Sequence, residues 1–315
     1  MNWTRLWLFG LVAAVIVTTG LRLSARSTMD APAGSTVGAP ERSMNEIAAL
    51  PASLPPVRVS ATEPVASAAA LYVLDVDSAY PLYAQNETTP VPIASVTKLM
   101  TALVALDEYR LDEVVTVSQE ATRTIGSGID LVAGEQITVH NLLRGLLIQS
   151  GNDAAMALAE HKGYDRFIEQ MNEKAALIGL AQTQFQDPAG LDDSGYSTAR
   201  DLGILAAFAL RSPILLDIVS TVETTIDSID GQFRHHLETS NRLLKGDHPL
   251  YLGYVTGLKT GFTPEAGHCL VASAKHGEHQ IVTVVLNTDE QTPEASAKES
   301  RRLITWAFDA YAWPE

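Results

Sequence analysis

A chain of 315 residues, 46% of them hydrophobic and 19% charged, is long enough for one large domain or two modest ones and can bury a substantial core. Its formal charge is −15, and because the first 26 residues hold three Arg (Arg5, Arg22, Arg26) and no acid, the remainder sets 19 basic against 37 acidic residues, a balance of −18. A body this acidic argues against nucleic acid or an anionic lipid surface as its partner, and any anionic substrate must be met by a local cationic pocket.

In chain order, the first feature is an apolar run from Leu6 to Val17 behind Arg5. The run is short for a membrane span and suits the apolar region of a signal peptide. Leu23-Ser24-Ala25 is a poor match to a cleavage site, so residues 1–26 read either as a cleaved signal peptide or as an uncleaved membrane anchor. In both cases the body is expected outside the cytoplasm, in the periplasm or at the outer face of the cytoplasmic membrane, and meets the membrane only through this segment. Residues 27–65 are rich in Ala, Pro, Ser, Gly and Thr and lack periodicity, which predicts a flexible linker.

Residues 66–315 read as one folded domain. Ala69–Leu74 has the apolar continuity of a buried strand, and Tyr80–Tyr83 would close a hairpin with it. Prolines keep Pro90–Ala94 extended, and a helix is expected from Ser95, with Leu99, Ala102, Leu103 and Leu106 on its apolar face. After a short strand at Val114–Val117 come helices at His140–Gln149, Asn152–His161, Asp165–Gly179, Thr198–Leu210 and Pro213–Val219. The pattern then turns to strands: Val222–Ile226, Phe233–Glu238, Gly257–Lys259, His268–Ala274 and Gln280–Leu286, the last two joined as a hairpin through Lys275–His279. A final helix spans Glu294–Tyr311, and with the chain ending at Glu315 no further domain is expected. This order predicts an α+β fold in which one antiparallel sheet takes strands from both chain ends and a helical subdomain lies between them.

Few residues offer metal or thiol chemistry. The one cysteine, Cys269, sits in an apolar run and reads as a buried structural thiol. The eight His are scattered, and His235-His236 would point to opposite faces of a strand. No metal and no cofactor is expected.

Three short motifs carry the chemistry, in the order SxxK, SxN, KTG. In Ser95-Val96-Thr97-Lys98 the serine and lysine share one helix face, and a serine at a helix start lies near free N–H groups able to hold a developing oxyanion. An apolar helix would bury Lys98, and burial together with a second cation, Lys259, would keep it neutral enough to act as a base. In Ser150-Gly151-Asn152 the serine could relay a proton to a leaving amine and the asparagine could bind a substrate amide. Taken alone this string reads first as a helix end followed by a helix start, and Ser43-Met44-Asn45 in the linker matches it by accident. In Lys259-Thr260-Gly261 the first two side chains could bind a terminal carboxylate, while Gly261 would let a substrate approach the strand edge closely.

Together with their flanks, these motifs resemble the low-molecular-mass penicillin-binding proteins, the serine D-alanyl-D-alanine carboxypeptidase and endopeptidase family. The resemblance runs from about Ala66 to Tyr311. It includes Gly190-Leu191-Asp192, Ser197-Thr198-Ala199-Arg200-Asp201 and Ser240-Asn241-Arg242-Leu243-Leu244. It implies a β-lactamase/transpeptidase-like fold and an enzyme that acts on peptidoglycan peptides ending in D-Ala-D-Ala, with β-lactam antibiotics as covalent inhibitors. It implies Ser95 as nucleophile, Lys98 as base, Ser150 and Asn152 in proton transfer and binding, and Lys259 and Thr260 in orienting the substrate. The N–H groups of Ser95 and Phe262 would form the oxyanion hole, and Phe262 departs from the His often found after KTG. Arg242 is a candidate for carboxylate steering or, equally, for a structural salt bridge. A class A β-lactamase would require Asp where Gly151 stands and a Glu in the loop Phe185–Gly190, which has none. Intact Ser95 and Lys98 argue against a non-catalytic wall module. Carboxypeptidase and endopeptidase both remain open, the short C-terminus resembling endopeptidase-type members.

Overall fold

Strands buried on both faces fix the centre of the molecule. The structure, a computed structural model, describes residues 53–65 and 67–314. Strands β2 (Ala68–Asp75), β3 (Pro81–Gln85), β8 (Val255–Thr263), β9 (Gly267–His276) and β10 (His279–Thr288) form an antiparallel sheet in the order β3-β2-β10-β9-β8. Leu71, Val73, Leu270, Ala272, Ile281 and Val285 face one side. Ala70, Tyr72, Leu74, Val271, Val282 and Val284 face the other. Because both faces are covered, these strands read as continuous apolar runs. The first side packs against α8 (Ala295–Ala310), through Leu303, Ile304 and Ala307. The second packs against the helices between β3 and β8.

Those helices are α1 (Lys98–Glu108), α2 (Gln119–Thr122), α3 (Val139–Ile148), α4 (Asn152–Glu160), α5 (Tyr164–Leu177), α6 (Ala199–Ala209) and α7 (Pro213–Ser220). Local chemistry starts four of them: Ser118 Oγ accepts from Ala121 N at the start of α2, and three more follow the same rule. Thr138 Oγ1 accepts from Asn141 N, Thr198 Oγ1 from Asp201 N, and Ser212 Oγ from Leu215 N with Pro213 in the first turn. Helix α1 is buried from Lys98 through Ala105. Two small ribbons, β4 (Val114–Thr116) with β5 (Gln136–Thr138) and β6 (Glu223–Asp227) with β7 (Arg234–Glu238), lie outside the main sheet.

The structure corrects two expectations. The helix foreseen from Ser95 is first a 3₁₀ turn over Ala94–Thr97, and α-helical geometry begins only at Lys98. Ala94 takes φ +48°, a sharp left-handed entry that leaves room for one tight turn before the helix. The expected linker also does not extend to residue 65. β1 (Val57–Arg58) pairs with β11 (Tyr311–Ala312), Val59 N donates to Ala310 O, and Trp306 Nε1 donates to Thr62 O at 2.6 Å. Trp306 further meets Tyr83 and Tyr311 edge-on at 5.7 Å. The segment expected as signal peptide or anchor lies outside the described residues, as does the linker up to residue 52. No single helix among the described residues is long and apolar enough to cross a membrane.

Trp306 thus ties the start of the folded chain to its last helix. Replacing it with Ala is expected to cost about 3–5 kcal/mol, the usual loss for a buried large aromatic. Urea unfolding of Trp306→Ala measures this, and a loss below about 1 kcal/mol would show that the segment adds nothing to the fold.

Candidate active site

Lys98 Nζ is the centre of the site. It lies 2.8 Å from Ser95 Oγ, 2.7 Å from Asn152 Oδ1 and 2.7 Å from Ala189 O. The side chain is fully buried. Burial lowers its pKa well below that of an ordinary lysine, and repulsion from Lys259 adds to the effect, while Asp187 and Asp153 oppose it. Burial alone takes Lys259 down to about 7. The sequence-based expectation of a buried lysine beside a second cation therefore holds in direction and cause.

The partners of Lys98 determine where its protons go. Asn152 Oδ1 and Ala189 O can only accept. The Asn152 amide cannot be turned round, because its Nδ2 donates to Ile125 O at 2.6 Å. A neutral amine has two N–H bonds, and these two carbonyls take both of them. Its lone pair is then left facing Ser95 Oγ, whose O–H donates to it. The geometry thus orients neutral Lys98 as a base toward the one neighbour that has a proton to give.

Backbone contacts bring the other parts to this centre. The loop after α5 presents Ala189 O because Asp187 gathers four backbone N–H groups, those of Ala189, Gly190, Leu191 and Asp192. Gly190 has φ +76°, and a Cβ there would lie 1.9 Å from Ala94 O. On the other side, a Cβ on Gly261 would lie 2.8 Å from Ile93 O and 3.3 Å from Ser95 N. Gly261 was expected to let a substrate approach closely; the structure gives this close approach a further task, setting β8 against the Ser95 turn.

The remaining candidates divide between the groove and its floor. A groove of about 640 Å³ is lined by Ser95, Ser150, Asn152, Ser240, Arg242, Thr260, Gly261 and Phe262 among others. Lys98 and Lys259 are buried and are not among the lining residues. Lys259 and Thr260 were expected to share a carboxylate, but consecutive strand residues point to opposite faces. Thr260 joins the groove wall, while Lys259 Nζ donates to Thr260 O at 2.9 Å. Asn152, expected on the substrate, places its carbonyl on Lys98 and one amide N–H on Ile125 O, which leaves its second N–H to the groove it lines. Ser150 takes φ +68° between α3 and α4 and forms no side-chain hydrogen bond among the described residues. A serine in that region carries strain of the kind that collects at functional sites. Phe262 is exposed and stacks on His268 with ring centres 4.4 Å apart. Arg242 lines the groove and also pairs with Glu294 at 3.4 Å, so both of its foreseen roles have a basis.

Two contributors were missed from the sequence. The Ala189 carbonyl has no side-chain signature, and only the neighbouring Gly190 hinted at a tight turn. Ser240 Oγ lies 2.6 Å from Thr260 Oγ1. One of these hydroxyls donates to the other, which leaves one O–H free to serve the groove. No cluster of metal-ligand residues occurs among the described residues. His235 is buried, Cys269 is buried, and burial pushes the Cys269 thiol up to about 12.

The profile of the D-alanyl-D-alanine carboxypeptidases, peptidase family S11, matches residues 57–290. The chain belongs to this family. It is 36% identical over 248 residues to the D-alanyl-D-alanine carboxypeptidase DacF of Bacillus subtilis, covering 76% of this chain and 61% of the relative. It is 34% identical over 268 residues to a D-alanyl-D-alanine endopeptidase of Pseudomonas aeruginosa, covering 83% of this chain and 85% of that one. The chain thus spans about three fifths of the carboxypeptidase and most of the endopeptidase. Among solved structures, the Streptomyces K15 DD-transpeptidase superposes with a TM-score of 0.73 at 30% identity, covering 79% of this chain and 99% of the other. The fold is therefore the transpeptidase-like α+β fold of the S11 family.

The Lys98–Lys259 repulsion can be measured directly. Lys259→Gln removes one positive charge from beside Lys98, so the Lys98 pKa must rise. NMR titration of lysine ¹³Cε resonances should place Lys98 well below ordinary lysines in the wild type, and at higher pH in the variant. An unchanged or lowered midpoint would refute the coupling.

Proposed function

We propose that this protein is an exported serine D,D-peptidase that removes the terminal D-alanine from peptidoglycan stem peptides through an acyl-enzyme on Ser95, and that β-lactams acylate the same serine. One observation carries the reading: two fixed carbonyl acceptors leave the Lys98 lone pair only Ser95 to face.

The reaction follows from the positions. Ser95 Oγ attacks the carbonyl carbon between the two D-alanines as its proton passes to Lys98 Nζ. The carbonyl electron pair moves onto oxygen, which the N–H groups of Ser95 and Phe262 stabilise; the fit of Gly261 against Ser95 N supports this pairing. The C–N bond then breaks, and the departing amine takes a proton from Lys98 by way of the Ser150 hydroxyl. Water adds to the ester while Lys98 again takes a proton, and Ser95 leaves with it. Thr260, Ser240 and Arg242 receive the terminal carboxylate from the groove wall, and Lys259 contributes positive charge from the floor.

A class A β-lactamase requires a free loop carboxylate to drive deacylation. The acid of the 185–190 loop, Asp187, is consumed by four N–H bonds, which supports the peptidase instead. A second reading is a D,D-endopeptidase acting on cross-links. It is supported by the 34% identity over 268 residues to the Pseudomonas endopeptidase.

Incubation with a stem pentapeptide and with cross-linked muropeptides side by side tests both readings. Free D-alanine is expected from the pentapeptide, and release of monomers from the cross-linked substrate alone would select the endopeptidase. Ser95→Ala is expected to lower turnover by about 10⁴-fold or more. Turnover near wild type, or failure of labelled penicillin to attach to folded wild-type protein, would overturn the assignment.

A further inference from the structure

Arg242 is the single Lys or Arg in the groove wall among the described residues. Its neighbour His268 is held toward the neutral form, first by burial and then by the charge of Arg242 itself. The Arg242 guanidinium makes no hydrogen bond to another described residue, so its fork of N–H donors is available to a carboxylate. It does have one electrostatic partner. Arg242 Nε lies 3.4 Å from Glu294 Oε1, with the two side chains 31% and 39% exposed. Glu294 is the residue that opens α8, and it is placed by the chain on either side of it: Pro293 and Ser296 both line the groove. The groove's one full cation is therefore already facing an acid when the substrate arrives.

An entering carboxylate cannot share Arg242 with Glu294 at no cost, since two anions on one guanidinium repel. We propose that Glu294 competes with the substrate's terminal carboxylate for Arg242 and so sets how strongly the groove prefers a free carboxylate over an uncharged end. The proposal rests on the peptidase reading above and adds a specificity-determining residue to it. The opposite role, in which Glu294 holds Arg242 in its working position, predicts the opposite sign. Ion pairs as exposed as this one are weak and screened by salt, so the competition is displaceable and its effect modest.

The test compares a D-Ala-D-Ala peptide bearing a free carboxylate with the same peptide as its C-terminal amide, the amide being read by its inhibition constant where turnover is slow. Glu294→Gln is expected to lower KM for the free acid about two- to five-fold, with kcat unchanged, no effect on the amide and a smaller effect at high salt. Glu294→Asp keeps a charge at the helix start but withdraws it from Arg242, and should move KM in the same direction. In an Arg242→Gln background the effect of Glu294→Gln should vanish. A free-acid KM that stays fixed or rises, or that shifts equally for both peptides, overturns the proposal. If labelled penicillin still acylates Ser95 while the preference stays fixed, only the Glu294 assignment fails. If the wild type neither acylates nor releases D-alanine, the peptidase reading falls, and the proposal falls with it.

Discussion

The active site depends on keeping a lysine out of water. An amine with no exposed surface loses the hydration that stabilises its charge, and a second buried amine nearby makes the charged form costlier still. Burial by itself would yield an inert neutral lysine. Lys98 becomes a directed base only because the acceptors around it cannot donate, so the lone pair has one direction left. That arrangement draws on distant parts of the chain: α1 supplies the lysine, the start of α4 the Asn152 carbonyl, and the loop before α6 the Ala189 carbonyl. The helical layer on the second face of the sheet is in this sense a holder for one nitrogen atom.

Charge is divided between depth and surface. In a body with a balance of −18, a fully exposed pair of lysines would be screened by solvent and drawn to neighbouring acids. Setting Lys98 and Lys259 beneath the groove separates two tasks that their neighbourhood would otherwise mix. The floor tunes proton affinity, whereas the wall, with Thr260, Ser240 and Arg242, offers hydrogen bonds to an anion. Asp187 shows the same economy. Its carboxylate attracts the Lys98 charge, while its oxygens accept from four backbone N–H groups and so shape the loop.

How much of this was legible follows from where each constraint resides. Ser95 and Lys98 could be read because i,i+3 spacing in an apolar helix has a direct geometric meaning, and the sheet could be read because its strands are apolar on both faces. The opposite orientation of Lys259 and Thr260 was also readable from strand periodicity, though shared membership of one motif obscured it. The Ala189 carbonyl was not readable, since every residue has a carbonyl and only the fold directs it. The contact of Asn152 with Lys98 was hidden because an amide both donates and accepts, and the sequence does not reveal which partner each end finds. The β1–β11 pairing escaped because two residues give no period, and the prolines around them dominate the composition.

Ser95, the proposed nucleophile, is placed by backbone more than by side chains. Ala94 turns left-handed, and the short 3₁₀ turn that follows is pressed from one side by Gly190 and from the other by Gly261. Neither position has space for a methyl group, so the distance between the loop, the Ser95 turn and the edge strand is set by main-chain contact. Main-chain contact is stiff where long side chains are adaptable, and a hydroxyl, an amine and two N–H groups must stay aligned to within a fraction of an ångström for the reaction to proceed. The glycine of the third motif therefore has a physical reason in the first: it lets β8 come into main-chain contact with the Ser95 turn, the closeness that the proposed pairing of the Phe262 and Ser95 N–H groups on one oxygen requires.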